Sequence, residues 1–190
     1  MIYPVMLDIE GVDVLVVGGG RVATSKARGL VSAGALVTVV APRVDDDLRE
    51  IAVQVHERCF EAPDVNGRRL IFTATGIREV DRQVFRAAEK HGIWVNSADD
   101  PPQCSFILPA VLRHEPVVIA VSTSGASPAL ASYLRDRIGT LVTPEIASVA
   151  NDLAEQRARV KAQGQSTEGV DWRPVIEALL VDADLSEVVL

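Results

Sequence analysis

The stretch that decides the fold is residues 13–30, which read DVLVVGGGRVATSKARGL. An apolar run long enough for one buried strand, Val14 to Val17, precedes three glycines and then residues with helical spacing. Gly18, Gly20 and Ala23 match the pattern G-x-G-x-x-A, whose small residues permit a tight turn, room for a pyrophosphate, and close helix–strand contact. The stretch therefore predicts a dinucleotide-binding turn between a strand and a helix. A tight turn without a ligand is the alternative.

The helix predicted to follow the glycines adds a second reason to expect a phosphate there. A helix that begins at Arg21 would direct its unpaired N–H groups and the positive end of its dipole at the bound anion. We therefore expect Gly18, Gly19 and Gly20 to contact the cofactor.

Composition narrows the class of protein. The chain has 190 residues, 48% of them hydrophobic, and a net charge of −7, which disfavours nucleic acid as a partner. No apolar run approaches the ~20 residues of a membrane span, and Met1 to Leu7 is too short and uncharged for a signal peptide. Cys59 and Cys104 are far apart and lack metal-type spacing. We expect a cytoplasmic protein with free thiols, no resident metal and no membrane association.

Alternation of strands and helices continues after the first unit. The predicted strands are Asp13–Val17, Leu36–Val40, Ile51–Val55, Arg69–Thr75 and Ile93–Val95, and the predicted helices are Val22–Ala33 and Val80–His91. This order predicts an α/β fold with a Rossmann-type parallel sheet in residues 1–113. Thr75, at the carboxyl end of the fourth strand, is expected near the crevice where such sheets bind ligands.

The pattern changes near residue 113. Two β-type runs, Ser105–Leu112 and Val117–Ser122, follow each other without a helix and predict an antiparallel pair. Ser127 and Pro128 then give a helix start, with an oxygen acceptor followed by a residue that has no N–H. We expect a small α+β dimerisation region in residues 114–142 and a helical C-terminal region in residues 143–190. Exposed apolar faces in this part favour a homodimer.

Two polar segments are candidates for chemistry. A carboxylate after the fifth strand, Asp99 or Asp100, could accept a proton as a hydride leaves, although the same residues are also typical of a turn. The loop Ser122–Ser127 could bind an anion or could be a helix cap and linker.

The end of the second strand departs from the common NAD pattern. An acidic residue often stands there to bond the ribose, but this chain has Val40, Ala41, Pro42 and Arg43. Arg43 could face a 2′-phosphate, stack on adenine, or be a solvated loop charge. The residues alone leave NAD and NADP both open.

Three stretches carry a specific family resemblance. They are VLVVGGGRVATSKARGLVSAGALVTVVAP at residues 14–42, VNSADDPPQCSFILPAVL at residues 95–112 and VVIAVSTSGASPALASYLRDRI at residues 117–138. In motif, order and spacing the chain resembles the precorrin-2 dehydrogenase/sirohydrochlorin ferrochelatase family, the dehydrogenase module of siroheme synthase. The methyltransferase module of fused siroheme synthases does not follow before Leu190, so we expect the stand-alone form.

The resemblance implies a reaction. It implies NAD-dependent dehydrogenation of precorrin-2 to sirohydrochlorin in a homodimer, with ferrous iron insertion in some members. Through the motif N-x-x-D, which begins at Asn96, it assigns the general base to Asp99. The alternatives are a chelatase for iron or cobalt only, and a non-catalytic dimeric module that senses NAD.

The resemblance also implies binding residues. Cofactor contacts map to Arg21, Val22, Pro42 and Arg43, and substrate contacts map to Asn96, Ser122, Thr123, Ser124 and Gly125.

Overall fold

The computed structural model describes residues 2–98 and 100–185. The chain divides into two compact units, Met1–Leu108 and Pro109–Leu190. The sequence predicted three parts, of which the middle one would serve dimerisation. This three-part division stays a prediction.

The first unit is built on a five-stranded parallel sheet. Its strands are β1 (Asp13–Val17), β2 (Leu36–Val40), β3 (Gln54–His56), β4 (Leu70–Thr73) and β5 (Trp94–Ser97). They lie in the order β3-β2-β1-β4-β5, and all four pairings are parallel. The strand order reverses between β1 and β4, which is where open α/β sheets bind their ligands. The predicted Rossmann-type sheet is confirmed.

Helices cover both faces of this sheet. They are α1 (Arg21–Ser32), α2 (Asp46–Ile51) and α3 (Arg78–Glu89), and two short 3₁₀ helices span Ala62–Val65 and Pro101–Gln103. Successive strand residues point to opposite faces, so Val16 packs in the cluster that contains Ala23 and Ala27 of α1, whereas Val17 packs with Val84 of α3.

The third, fourth and fifth strands differ from the prediction at their boundaries, and the fifth, predicted as Ile93–Val95, spans Trp94–Ser97. The predicted third strand Ile51–Val55 was misplaced, because Ile51 ends α2 and the strand begins at Gln54. Asp46 and Asp47 in the first turn favour this short helix, since carboxylates are stabilised near a helix N-terminus, and Leu48 is fully buried. The fourth strand ends at Thr73, two residues before the predicted end.

The second unit joins a β-hairpin to three helices. Strands β6 (Ala110–His114) and β7 (Val117–Val121) are antiparallel, and the helices are α4 (Pro128–Gly139), α5 (Ile146–Ala162) and α6 (Arg173–Asp182). The helical C-terminal region is confirmed, and Val149 of α5 packs with Leu180 of α6. The predicted cap is also present, because the Ser127 hydroxyl accepts a hydrogen bond from the Leu130 N–H at 3.2 Å. Among the described residues, no helix combines the length and apolar character that a membrane crossing requires.

The predicted strand Ser105–Leu112 begins five residues late in the structure. The Ser105 N–H donates to the Val95 carbonyl at 2.7 Å, which holds this segment against β5. The hairpin strand therefore starts at Ala110 and continues through His114.

An ion pair fixes the segment between β3 and β4. The Arg58 guanidinium donates to both carboxylate oxygens of Asp64, at 2.6 and 2.8 Å, and the Glu61 N–H donates at 2.9 Å. The hydrogen bond from Arg58 is the main cause that lowers the pKa of Asp64; burial opposes it, and the Glu61 N–H adds to it. A lowered folded-state pKa stabilises the fold above the unfolded value of about 3.9, and this stabilisation is lost as the pH falls through the folded-state pKa.

We expect Asp64→Asn to lower the free energy of unfolding by about 1 kcal/mol at pH 7, because the charge-assisted pairing with Arg58 is lost. The difference from wild type should be smaller at pH 3, below the unfolded-state pKa of about 3.9, because protonation of the unfolded carboxylate removes part of the stabilisation. Urea unfolding followed by circular dichroism at both pH values measures this, with the exposed Glu50→Gln as the matched control. A difference that is equal or larger at pH 3 would contradict the assignment.

Candidate functional site

Two of the three glycines are required by the chain itself. A Cβ atom on Gly18 would lie 2.4 Å from the Ala74 carbonyl oxygen, and one on Gly19 would lie 1.8 Å from the Arg43 carbonyl oxygen. Gly18 also has a φ of +130°, which disfavours other residues. The loops that follow β4 and β2 therefore close directly on the end of β1, and only glycine permits both approaches.

Gly20 differs from its two neighbours. No described atom lies within 4 Å of the position of its Cβ, and its φ of −97° is accessible to any residue. Gly20 precedes the first residue of α1 and has no side chain that could cap the helix. The first helical N–H to reach a carbonyl is that of Thr24, which donates to the Gly20 carbonyl at 3.0 Å. The N–H groups of the preceding turn are thus available to a ligand.

The arrangement around Gly20 fits the pyrophosphate of a nicotinamide dinucleotide. Backbone donors and the positive end of α1 meet an open space that a side chain at Gly20 would fill. Ala23, the third small residue of the pattern, is fully buried and brings α1 close to the sheet. Arg21 and Val22, both predicted cofactor contacts, begin the helix and are exposed.

A groove of about 870 Å³ continues from this turn along α1 and the loop after β2. It is lined by Arg21, Thr24, Ser25, Arg28, Arg43, Val44, Asp45, Asp46 and Asp47. The structure thus brings the predicted contacts Arg21 and Arg43 together, and the exposed Pro42 precedes Arg43 on the same loop. Arg28 pairs with Asp47 at 2.5 Å, so part of the positive charge is compensated within the groove.

Thr75, the remaining predicted cofactor contact, lies on the loop after β4. Its hydroxyl donates to the buried carboxylate of Asp81 at 2.8 Å and accepts from the Ile77 N–H at 3.0 Å. Its backbone nitrogen lies 3.3 Å from the Cβ position of Gly18. Thr75 therefore anchors the loop that closes on the glycine turn, and its contact with a cofactor stays a prediction.

The tip of β5 carries the predicted catalytic segment and is held on several sides. The Thr73 hydroxyl donates to the Ser97 hydroxyl at 2.9 Å, and the Ala98 N–H donates to the Thr73 carbonyl at 2.9 Å. Asn96 is buried, and its side-chain nitrogen donates to the Phe106 carbonyl at 3.0 Å. Asp99, the predicted general base, lies outside the described residues.

Sequence reasoning missed two residues at this tip. The Cys104 thiol accepts from the Ser97 N–H at 3.2 Å and donates to the Ser97 carbonyl at 3.3 Å. The Lys26 ammonium donates to the Asn96 side-chain oxygen at 2.9 Å. A signal for Lys26 was present, because it lies three residues after the buried Ala23 and four before the buried Leu30, on the inward side of α1.

The predicted substrate loop belongs to the second unit and is shaped by its own hydroxyl groups. Ser122 accepts from the Ser124 N–H at 3.1 Å, and Thr123 accepts from the Ser127 N–H at 2.9 Å. Ser124 and Gly125 have positive φ values of 54° and 88° and are exposed. These bonds hold a turned backbone before α4, and contact of this loop with a substrate stays a prediction.

No group of three or more His, Cys, Asp or Glu side chains suited to a metal ion occurs in residues 2–98 and 100–185.

Comparisons with known proteins agree with this division of the chain. Residues 5–110 match a family described as "Putative NAD(P)-binding", and residues 116–141 match a family described as "Sirohaem biosynthesis protein central".

Several curated relatives are siroheme synthases. That of Methylococcus capsulatus is 43% identical over 162 residues, which are 83% of this chain and 34% of the relative. That of Nitrosococcus oceani is 35% identical over 185 residues, which are 94% of this chain and 40% of the relative. The chain thus spans about a third of the length of the curated relatives that it matches. A solved structure described as SirC, precorrin-2 dehydrogenase, superposes with a TM-score of 0.72 and 28% identity, covering 100% of this chain and 94% of the other.

We expect Gly20→Ala to preserve the melting temperature and to weaken dinucleotide binding about tenfold or more, because the added methyl group occupies the space beside the helix N-terminus. Gly19→Ala should instead destabilise the fold, since its methyl group meets the Arg43 carbonyl. Calorimetric titration with NAD and thermal unfolding separate the two effects. Gly29→Ala, within α1 and with nothing close to its Cβ, is the control and should bind as wild type. Unaltered binding by Gly20→Ala would show that the pyrophosphate lies elsewhere.

Proposed function

The chain belongs to the precorrin-2 dehydrogenase family, the dehydrogenase module of siroheme synthases, and we propose that it oxidises precorrin-2 to sirohydrochlorin with NAD. The balanced reaction converts precorrin-2 and NAD⁺ into sirohydrochlorin, NADH and a proton. The observation that carries the proposal is the open position at Gly20, at the N-terminus of a helix whose Lys26 also reaches the tip of β5. It supports a site in which the dinucleotide and the N-x-x-D segment act together.

NAD is the favoured dinucleotide on electrostatic grounds. The groove beside Arg43 also contains Asp45, Asp46 and Asp47, and Arg28 is already paired with Asp47. Arg21, Arg28 and Arg43 only balance these three carboxylates, so the groove offers no excess of positive charge to a 2′-phosphate, and an uncharged ribose hydroxyl needs none. We therefore assign Arg43 to the adenosine half of NAD.

The residues of this chain would bind NAD, orient the reactants and accept a proton from the substrate. Bound NAD supplies the hydride acceptor. The backbone N–H groups at the start of α1 hold the pyrophosphate, and Asp99 accepts the proton that the macrocycle loses with the hydride. The network around Asn96 and Ser97 keeps the end of β5 in one arrangement, which proton transfer requires because the carboxylate must lie within hydrogen-bond reach.

Substrate binding must overcome an unfavourable net charge. The chain carries a net charge of −7, and precorrin-2 is a polycarboxylate, so attraction depends on local donors. We assign the substrate carboxylates to the loop Ser122–Gly125, whose exposed residues Ser122, Ser124 and Gly125 offer hydroxyl and backbone N–H groups before α4. Ferrous iron insertion into the product is a further step to be tested, with iron as a substrate.

A second copy of the chain is the proposed partner. On α4, Leu130, Tyr133 and Leu134 are 48, 61 and 39% exposed and follow helical spacing along one side. An apolar stripe of this kind is typical of a surface that another subunit covers. We therefore propose a homodimer with α4 in its interface.

Purified protein given precorrin-2 and NAD should produce NADH absorbance together with the sirohydrochlorin spectrum. Asp99→Ala should retain NAD binding and lose at least about 100-fold in kcat, because the proton acceptor is removed. Asp100→Asn, at the next position, is the matched control and should keep its turnover. Normal turnover in Asp99→Ala would refute the role of Asp99.

The NADH assay, together with an iron-insertion assay, separates the dehydrogenase from the two alternative functions. Formation of siroheme from sirohydrochlorin and ferrous iron, without any NADH from precorrin-2, would identify a chelatase only. NAD binding without either product would identify a non-catalytic module.

Tyr133→Glu should convert the dimer into a monomer, because it places a charge in the exposed apolar stripe of α4. Size-exclusion chromatography with light scattering measures the mass directly. Arg157→Glu, on an exposed position of α5, is the control for an added acidic residue and should remain dimeric. A wild-type monomer, or an unchanged dimer in Tyr133→Glu, would remove α4 from the interface.

A further inference from the structure

A single lysine connects the phosphate-binding helix to the strand tip that carries the N-x-x-D segment. Lys26 lies in the second turn of α1 and is half-buried. Its Nζ atom donates to the Oδ1 atom of Asn96 at 2.9 Å, across 70 positions of sequence. The same Nζ atom lies 5.7 Å from the centre of the Phe72 ring, within the range of a cation–π contact.

The register of the sheet explains this geometry. Phe72 of β4 and Asn96 of β5 are register partners and therefore present their side chains on the same face. Phe72 packs in the cluster that contains Ala23 and Ala27 of α1, so this face is the one that α1 covers. The lysine stem thus lies along apolar side chains while its ammonium reaches the amide of Asn96.

Both polar atoms of the Asn96 amide have a hydrogen-bond partner. Its Oδ1 atom accepts from Lys26, and its Nδ2 atom donates to the Phe106 carbonyl at 3.0 Å. Because Asn96 is only 6% exposed, loss of one partner would leave a buried polar atom unsatisfied. The side chain consequently has one favoured orientation, which is set by α1 on one side and by the segment after β5 on the other.

We propose that Lys26 is a positioning residue for the dehydrogenation, which acts by holding Asn96, the first residue of the N-x-x-D motif, in a fixed place relative to the start of α1. This inference rests on the proposed function. The start of α1 locates the pyrophosphate of NAD, and the N-x-x-D segment supplies the proton acceptor. Their relative position therefore determines whether the hydride acceptor and the proton acceptor can both reach the substrate. The proposed pyrophosphate donors are backbone groups at the start of α1, so the Lys26 side chain is not one of them.

This role predicts a particular kinetic signature. Removal of the ammonium should lower kcat by about 10- to 100-fold, the range that small misplacements in an active site produce. The KM for NAD should change by less than about twofold, because backbone N–H groups at the start of α1 hold the pyrophosphate. Lys26→Arg should recover most of the turnover, since a guanidinium can donate to the same amide oxygen.

A double-mutant cycle tests whether Lys26 acts through Asn96. We would measure kcat, the KM for NAD and the melting temperature in Lys26→Met, Asn96→Ala and the double variant. If the two residues act as one unit, the double variant should be no slower than Asn96→Ala alone. Lys90→Met, an exposed lysine directly after α3, is the matched control and should keep wild-type kinetics.

Several outcomes would overturn the positioning role. Two of them concern turnover: a wild-type kcat in Lys26→Met, or losses that multiply in the double variant. The others are a rise in the KM for NAD without a fall in kcat, and loss of the fold in Lys26→Met, which would make the contact a requirement of stability. The proposed function is judged separately by the wild-type protein. Wild-type turnover with an unaffected Lys26→Met would remove the inference alone, and absence of wild-type turnover would remove the proposed function.

Discussion

The close approach of three backbone segments at the end of β1 is the constraint on which the rest of the first unit depends. Gly18 and Gly19 admit the carbonyl groups of Ala74 and Arg43 at distances that no side chain could tolerate. The loops after β2 and β4 are thereby held against the glycine turn at the edge where parallel strands end. Gly20 alone stays open, so the same contact that closes the fold also leaves the helix N-terminus accessible.

Several buried polar groups of the sheet lie at the ends of its strands. The middles of β1 and β4 are apolar and pack on both faces, whereas Thr73, Asn96 and Ser97 place buried polar atoms at the strand ends. Buried polar atoms need partners, and here the partners come from neighbouring segments, which include Phe106 and Cys104. The tip of β5 is therefore held by partners from several neighbouring segments, as the role proposed for this part of the chain requires.

The sequence predicted what depends on local pattern and missed what depends on distant contacts. Periodicity and the glycine turn were enough for the parallel sheet, and Ser127 with Pro128 was enough for the start of α4. The apolar residues around Ile51 suit a helix end as well as a strand, so the boundary of β3 was misplaced. The bond between Lys26 and Asn96 joins residues 70 positions apart, and no local pattern predicts such a pairing. The role of Asp99 came from the family resemblance.

The physical cost of Lys26 favours a role in position rather than in stability. A half-buried ammonium loses hydration, so its hydrogen bond to Asn96 must offset this cost before it adds any net stability. The inward face of α1 is otherwise apolar, with Ala23, Ala27 and Leu30, so a residue such as methionine would suit the packing there. What methionine cannot supply is a donor of fixed direction to Asn96. The ammonium of Lys26 therefore sets the orientation of the Asn96 amide at the end of β5.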